Sequence, residues 1–351
     1  VHPISILRRL LGAAIVTAAA TACAGDSMSK SDRPSHHADD GFRNNYGHEA
    51  KGLGLDFLAF LWELQTGDWE PPELARAEPE LAFLQANRDQ PTATWLGHAS
   101  FLLQLGGKNI LTDPALSERA SPFSFAGPAR LQPPGIAIAE LPGIDVVVIS
   151  HDHYDHLDLP TLENLRSRDN PLLIAPLGLG AWLRDQGFEN VAELDWWQQH
   201  DAGALHIHAV PVQHFSGRGL FDRNQRLWAG YVLEADDLRV FFAGDTGYSR
   251  DFADIGTRFA PVDLALIPIG AYEPRDFMKP AHVTPEEAVR IHQDAGARAS
   301  IGMHWGTFRL TTEPMDEPPE RLRAAVAAAG IPRQEFRTVP LGATQRLSRT
   351  R

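Results

Sequence analysis

The stretch SHDHYDHLD, Ser150 to Asp158, places three histidines and three aspartates within nine residues. Imidazole nitrogens and carboxylate oxygens are the donors that zinc and comparable first-row metals take. His151 and His153 stand two apart, so in an extended segment they project to the same side. Asp155 and His156 follow at once. An isolated His-x-His on a strand reads as a solvated face, and His206 and His208 in LHIHAV are taken that way. The string H-x-H-x-D-H is different, because it supplies donors enough for two ions once other loops contribute. Three such loops are visible. His214 ends HAVPVQHF, Asp245 lies in FFAGDTGY and His304 lies in GMHWGTF. Each follows a strand-like run and precedes loop residues, the places where sites are usually built.

Something must hold these loops at one place. GIDVVVIS reads as a buried strand delivering the first motif, and TATWLGHASFLLQLGGKNILTDP as a hairpin turning at Gly106 and Gly107. LPTLENLRSR and LGAWLRDQG read as helices, the second stopped by Gly187. LLIAP, ALHIHAVPVQHF, RLWAGYVLEA, LRVFFAGDTGY, DLALIPIG and RASIGMHWG read as strands. TPEEAVRIHQDAG carries a full set of helix signals: Thr284 as N-cap, Pro285 in the first position, Glu287 closing a capping box and Gly296 after the end. PPERLRAAVAAAGI is a further helix, and a last strand falls near FRTVPLG. Strands in hairpins together with strands alternating with helices predict an α/β chain whose sheets are covered by helices on the outside. No short-period repeat is present, and no second domain boundary follows residue 90 or so.

The N-terminal part has another character. Arg8 and Arg9 precede LGAAIVTAAATA, which is apolar but too short to span a bilayer comfortably. Residues 1–22 are read as a signal peptide, with Cys23 where the signal would be cut and so the lipid-bearing first residue. The segment resembles a bacterial lipobox, with Ala20 where leucine is commoner. Cys23 is the only cysteine, which rules out an intramolecular disulfide. Residues 23–50 are polar, small and rich in Pro, Gly and Ser, and are expected to form a flexible tether with His36 and His37 solvated. Residues 51–91 are expected to form a helical extension, its segment 53–66 either packing under the main domain or touching lipid. Residues 92–351 remain as the main domain. The formal net charge of −13 argues against a nucleic-acid partner.

The order H-x-H-x-D-H, distant His, Gly-Asp-Thr, final His resembles the metallo-β-lactamase superfamily. Within it the chain is similar to the N-acylphosphatidylethanolamine-hydrolysing phospholipases D and their bacterial relatives. The residues that carry this are TWLGHAS, LTDPALSERASP, ISHDHYDHLD, ELDWW, FFAGDTGY, DLALIPIGAYEPRDFMKPAHVTPEEAVRIH and MHWGTF, which cover most of residues 92–312. The resemblance implies an αββα sandwich with the site at one edge, and two zinc ions. His151, His153 and His214 would hold one ion. Asp155, His156 and His304 would hold the other, and Asp245 would bridge them. Asp113, in LTDP, matches an acidic position that orients the metal loop; on its own it reads as a turn residue before Pro114. His98 stands either behind the ligands or as a structural residue. His282, in KPAHVTPEEAV, matches a residue that touches the substrate phosphoryl group; on its own it reads as a turn histidine bonded to backbone. Asp155 and His282 are the expected catalytic residues. Trp196, Trp197, Trp305 and Phe308 lie near motif ends and read as core, with one or two lining an acyl groove.

The expected activity is hydrolysis of a lipid phosphodiester, yielding N-acylethanolamine and phosphatidic acid, by a protein anchored through lipid on the far side of the plasma membrane. A lactonase or small-molecule phosphodiesterase of the same fold is the alternative enzyme. A non-catalytic surface lipoprotein stabilised by metal is disfavoured, because structural zinc sites are closed and mononuclear.

Overall fold

The run VVVIS has both faces buried, and the fold shows why. Val146 and Val148 point into the space between two sheets, while Val147 and Ile149 point outward against helices. A strand covered on both sides reads as a continuous apolar run rather than an alternation.

The computed structural model describes residues 33–47, 64, 71, 73–219 and 221–348. The expected signal peptide, Cys23 and nearly all of segment 53–66 lie outside the described residues. Residues 36–351 form one unit. Its strands are numbered β1 to β16 in chain order. The small hairpin β1 (His37–Ala38) and β2 (Gly41–Phe42) stands apart from two seven-stranded sheets. In the first sheet β3 (Thr92–Gly97), β4 (Ser100–Leu105) and β5 (Lys108–Thr112) form an antiparallel meander. β6 (Val146–Val148), β7 (Leu172–Pro176) and β8 (Val191–Leu194) continue it in parallel, and β16 (Thr344–Arg346) pairs on the far side of β3. The second sheet repeats this plan. β9 (Gln199–Ala202), β10 (Leu205–Val210), β11 (Gly230–Ala235) and β12 (Leu238–Phe242) are antiparallel, and β13 (Leu264–Pro268), β14 (Ser300–Met303) and β15 (Phe336–Arg337) add in parallel.

The inner faces share one core, in which Trp95, Phe101, Leu103 and Ile174 meet Ile207, Val232, Phe241 and Leu266. Helices α1 (Leu81–Ala86), α2 (Leu159–Arg168) and α3 (Leu179–Asp185) contribute Leu84, Leu162, Leu165, Leu179 and Leu183 to the core on the outer face of the first sheet. Helices α4 (Asp251–Phe259), α6 (Pro285–Asp294) and α7 (Glu317–Ala328) cover the second sheet, and the short α5 (Arg275–Met278) precedes α6. This is the αββα sandwich. Among the described residues no helix is long and apolar enough to cross a membrane.

The local signals read from sequence are in place. Gly106 and Gly107 both have positive φ at the β4–β5 turn, as a two-residue hairpin requires. Helix α6 has Thr284 as N-cap and a complete capping box with Glu287. His206 and His208 alternate with buried Leu205 and Ile207 on β10, and His206 bonds across to Asp201 at 2.6 Å.

One expectation is corrected. His36 and His37 are not solvated. His36 is 6% exposed, stacks on Trp196 at 4.3 Å and bonds Asp195 at 2.6 Å, and His37 bonds the other oxygen of the same carboxylate at 2.8 Å. A polar segment of this composition docks through hydrogen bonds to a buried carboxylate, which hydrophobic patterning does not register.

Candidate metal centre

The chain leaves β6 at Val148 and runs extended to His153, where a turn closes: the His153 carbonyl accepts from the amides of His156 and Leu157. The turn divides the motif. His151 and His153 face one position, and Asp155 and His156 are carried round to another. The loop is fixed by the second sheet. Tyr231 Oη donates to the Ile149 carbonyl at 2.9 Å, and the Ala229 amide donates to the Ser150 carbonyl at 2.9 Å. Gly244, at φ +59, lies so close that a Cβ there would stand 2.6 Å from Ser150 Cβ, so the residue before Asp245 has to be glycine.

His214 follows β10, Asp245 follows β12 and His304 follows β14, all at the same end of the sandwich as His151. Two groups of donors result. In the first, His151 Nε2 and His153 Nδ1 are 2.9 Å apart, and His214 Nε2 is 3.3 Å from the same His153 nitrogen. In the second, His156 Nε2 and His304 Nε2 are 3.2 Å apart and each lies 3.4 Å from Asp155 Oδ2. Asp245 stands between them. Its carboxylate is 3.0 Å from His156 and from His304, and 4.0 Å from His151 and from His214.

The donor set fits cations. His214 Nδ1 faces the Ala281 carbonyl at 3.0 Å, so it carries the proton and Nε2 presents a lone pair to the cage. His156 Nδ1 is 2.6 Å from Asp113, which fixes that ring in the same way. Lone pairs brought together at these distances need positive charge between them. Asp245 Oδ1 is buried with no hydrogen-bond partner among the described residues, as are Nδ1 of His98, His282 and His304. The protein's own protons answer the same demand. Burial opposes charge on His304, yet Asp245 and Asp155 push it up to about 9. His156 is held well above its ordinary value, burial being outweighed by Asp245, Asp155 and Asp113. Burial works against ionising Asp245 too, but His156, His304 and His282 hold it well below the usual carboxylate range. In the other group, burial pushes His151 and His214 well down, leaving neutral imidazoles. The face toward solvent is the side of His153 and Asp155, which are half-buried, whereas His151 and His156 are buried.

The remaining candidates fall around this cage. Asp113 accepts from the Ser150 amide and hydroxyl as well as His156, so one buried carboxylate ties the start of the motif to its end. His98 Nε2 is 2.9 Å from Asp155 Oδ2, and its carbonyl accepts from the His304 amide. His98, Asp113 and His304 all have positive φ, at 54°, 30° and 61°. Such backbone is uncommon outside glycine and collects where function over-determines geometry. His282 lies 3.9 Å from Asp245 Oδ2, and burial pushes its imidazole down to about 4. Trp196 is core, Trp305 stacks on Trp95 at 5.5 Å, Trp197 lies under Arg258, and Phe308 lies edge-on to His98 at 5.3 Å.

Several supporting residues escaped sequence reasoning. Asp152, in the middle of the motif, is no part of the cage. It is fully buried, pairs with Arg226 at 2.7 Å and accepts from the Gly217 amide at 2.7 Å. Arg218 donates to the carbonyls of Asp152 and Leu157. Asn44 bonds the backbone of His214. Only the bare presence of charge or amide marks these positions in the sequence.

Residues 108–305 match a family described as the beta-lactamase superfamily domain. The chain is 43% identical over 264 residues to N-acyl-phosphatidylethanolamine-hydrolyzing phospholipase D 1 of Caenorhabditis elegans, covering 71% of this chain and 74% of that protein. It is 40% identical over 245 residues to the mitochondrial enzyme of the same description in Saccharomyces cerevisiae, covering 68% of this chain and 52% of the yeast protein. Among solved structures, an isothiocyanate hydrolase from Delia radicum gut bacteria superposes with a TM-score of 0.59 at 23% identity, over 72% of this chain and 98% of that one. A metallo hydrolase from Ignicoccus hospitalis gives 0.56 at 21% identity, over 74% and 99%. These structures share the fold. By its sequence match and its sandwich, the chain belongs to the metallo-β-lactamase superfamily and is a metal-dependent hydrolase of that family.

Proposed function

We propose that the chain is a dinuclear zinc phosphodiesterase of phospholipase D type that cleaves N-acylphosphatidylethanolamine-like lipids to N-acylethanolamine and phosphatidic acid. The observation that carries this is the pair of donor groups sharing the Asp245 carboxylate, in a chain so similar to the worm phospholipase. His151, His153 and His214 would hold one ion, and Asp155, His156 and His304 the other. Two such cations would supply polarisation of a phosphoryl oxygen and a lowered pKa for bound water. The chain's own residues do the rest. Asp155 is held well below the usual carboxylate range: burial resists the charge, and His156, His304 and His98 overcome it. Ionised and half-buried, it is placed to accept a proton from entering water. His282, kept neutral by burial, has one ring N–H to offer a phosphoryl oxygen. The water oxygen bonds to phosphorus, the bond from phosphorus to the ethanolamine oxygen breaks, and that oxygen leaves with a proton.

Purified protein should be screened against N-acylated phospholipids, plain phosphodiesters and lactones, with its metal content measured. About two zinc ions per chain and a preference for the N-acylated lipid are expected. Preference for lactones, or one ion with full activity, would overturn the reading. His282→Ala is expected to keep both metals and to lose about 10²–10³-fold in kcat/KM on a phosphodiester, the cost of one donor to a charge that grows during attack. A lactone should suffer less. An equally small loss on every substrate would leave His282 a turn residue.

The same reading includes anchorage through Cys23 on the periplasmic or cell-surface side. Cys23→Ser is expected to move the protein from the membrane fraction to the soluble fraction, since a multiply acylated cysteine holds firmly where one chain does not. Unchanged fractionation would refute the anchor.

A further inference from the structure

The family match begins at residue 108, yet one candidate ligand is held from far upstream. The β1–β2 hairpin lies against the loop that follows His214. The Phe42 amide donates to the Asn224 carbonyl at 2.8 Å, and Gln225 Nε2 donates to the Asp40 carbonyl at 2.9 Å. A Cβ on Gly41, at φ +135, would stand 2.2 Å from the Asn224 oxygen, so the two backbones meet directly. This contact delivers Asn44. Its Nδ2 donates to the His214 carbonyl at 2.9 Å, and its Oδ1 accepts from the His214 amide at 3.1 Å and from Trp228 Nε1 at 3.1 Å. One primary amide thus closes on both polar groups of a single residue, as a neighbouring strand would. His214 lies just past the isolated bridge at Gln213 and in no strand. With its ring bonded to Ala281, His214 is fixed at amide, carbonyl and Nδ1.

The segment is tied down at both ends. Upstream, the His36 and His37 side chains bond the two oxygens of Asp195. Downstream, Asn45 donates to Asp251 at 2.8 Å and Tyr46 to Asp254 at 2.8 Å. Between them a cavity of about 410 Å³ is lined by Arg43 and Asn44 on one side and His214, Phe215 and Arg223 on the other.

We propose that Asn44 is a positioning residue of the metal centre, aiming His214 at its cation by gripping its peptide groups, and that the His36–His37–Asp195 contact is the clip that keeps Asn44 seated. This rests on reading His214 as a metal ligand. Imidazole affinity depends on the ring's direction. Partners behind a ligand therefore change affinity by about 10–100-fold when removed, and a site left loose by about 1 Å loses function.

Zinc affinity, measured by chelator competition on the full chain, tests the proposal. Asn44→Ala is expected to weaken one of the two bound ions by about 10–100-fold. Asn44→Asp keeps the two bonds that Oδ1 accepts and should recover part of the loss. It also provides the measurement if the alanine variant fails to fold. The paired change His36→Ala with His37→Ala should weaken zinc in the same direction. Asn45→Ala and Tyr46→Phe loosen the same segment without touching His214, and should lower thermal stability while weakening zinc far less than Asn44→Ala does. Equal weakening by Asn45→Ala and Asn44→Ala would show that the segment acts through overall stability alone. No change in Asn44→Ala would also overturn the proposal. His214→Ala separates the two claims. If it keeps both ions, His214 is no ligand. If it loses one while Asn44→Ala loses neither, the ligand reading stands and the role of Asn44 falls.

Discussion

Replacing Asp245 by alanine is expected to lower turnover by about 10³-fold or more while the protein stays folded. A metal site supplies several kcal/mol of charge stabilisation in the transition state, and each ~1.4 kcal/mol is a factor of ten in rate. Asp245 lies in reach of both donor groups, 3.0 Å from two histidines and about 4 Å from three more. Without it the cage is five imidazoles and Asp155, and zinc content should fall from two ions to one or fewer. The metal-free proteins should differ in pH response. His304, pushed up to about 9, adds stability that is fully present below its unfolded value near 6.5 and is lost as pH rises through about 9. Metal-free wild type should therefore weaken at alkaline pH. The variant, lacking the largest cause of that shift, should weaken less. Turnover within tenfold of wild type on a generic phosphodiester would refute the bridging role.

The second large effect separates two aspartates of one motif. Asp152→Ala is expected to cost about 3 kcal/mol of stability, the range for removing one partner of a buried pair. It strips the partner from the Gly217 amide and one of the two carboxylates that Arg226 reaches. Asp155→Ala should instead lower the urea midpoint of the metal-free protein by less than Asp152→Ala does, and should remove one bound ion and abolish turnover. Asp155 is half-buried and its neighbours His156 and His304 can release their protons when it is gone. Urea unfolding of both metal-free variants, with turnover of each after zinc is added back, checks the pair. The reverse pattern would exchange the roles given to them.

That contrast marks where the sequence stops being legible. H-x-H-x-D-H announces donors, but nothing in the string says which carboxylate faces metal and which faces Arg226, since that choice is made by residues more than sixty positions away. Local devices read well because they are closed within a few residues: the Thr284–Glu287 box, the Gly106–Gly107 turn and the alternation in LHIHAV. Helix α4 left no clear signal. Gly256 interrupts its pattern, and it does so because a Cβ there would stand 2.1 Å from the Asp294 carbonyl oxygen. Strands β8 and β9 are four residues each, too short for periodicity to show. The segment carrying Asn44 was hidden for a different reason: it is seated by amides, imidazoles and carboxylates, and hydropathy registers none of them.

Both sheets supply the cage: His151, His153, Asp155 and His156 come from the first, His214, Asp245 and His304 from the second. The site therefore does not exist in either sheet alone, and the contacts that build it span the sequence from residue 151 to 304. Contacts of such separation form late, after loop closure has been met by other interactions. Cations that bind only the finished cage act as a latch on a folded molecule and take no part in assembling it. Zinc should then leave the refolding rate of the chain almost untouched and slow its unfolding, the behaviour of interactions absent from the folding transition state. The lifetime of the folded enzyme, more than its speed of formation, is what metal supply would govern.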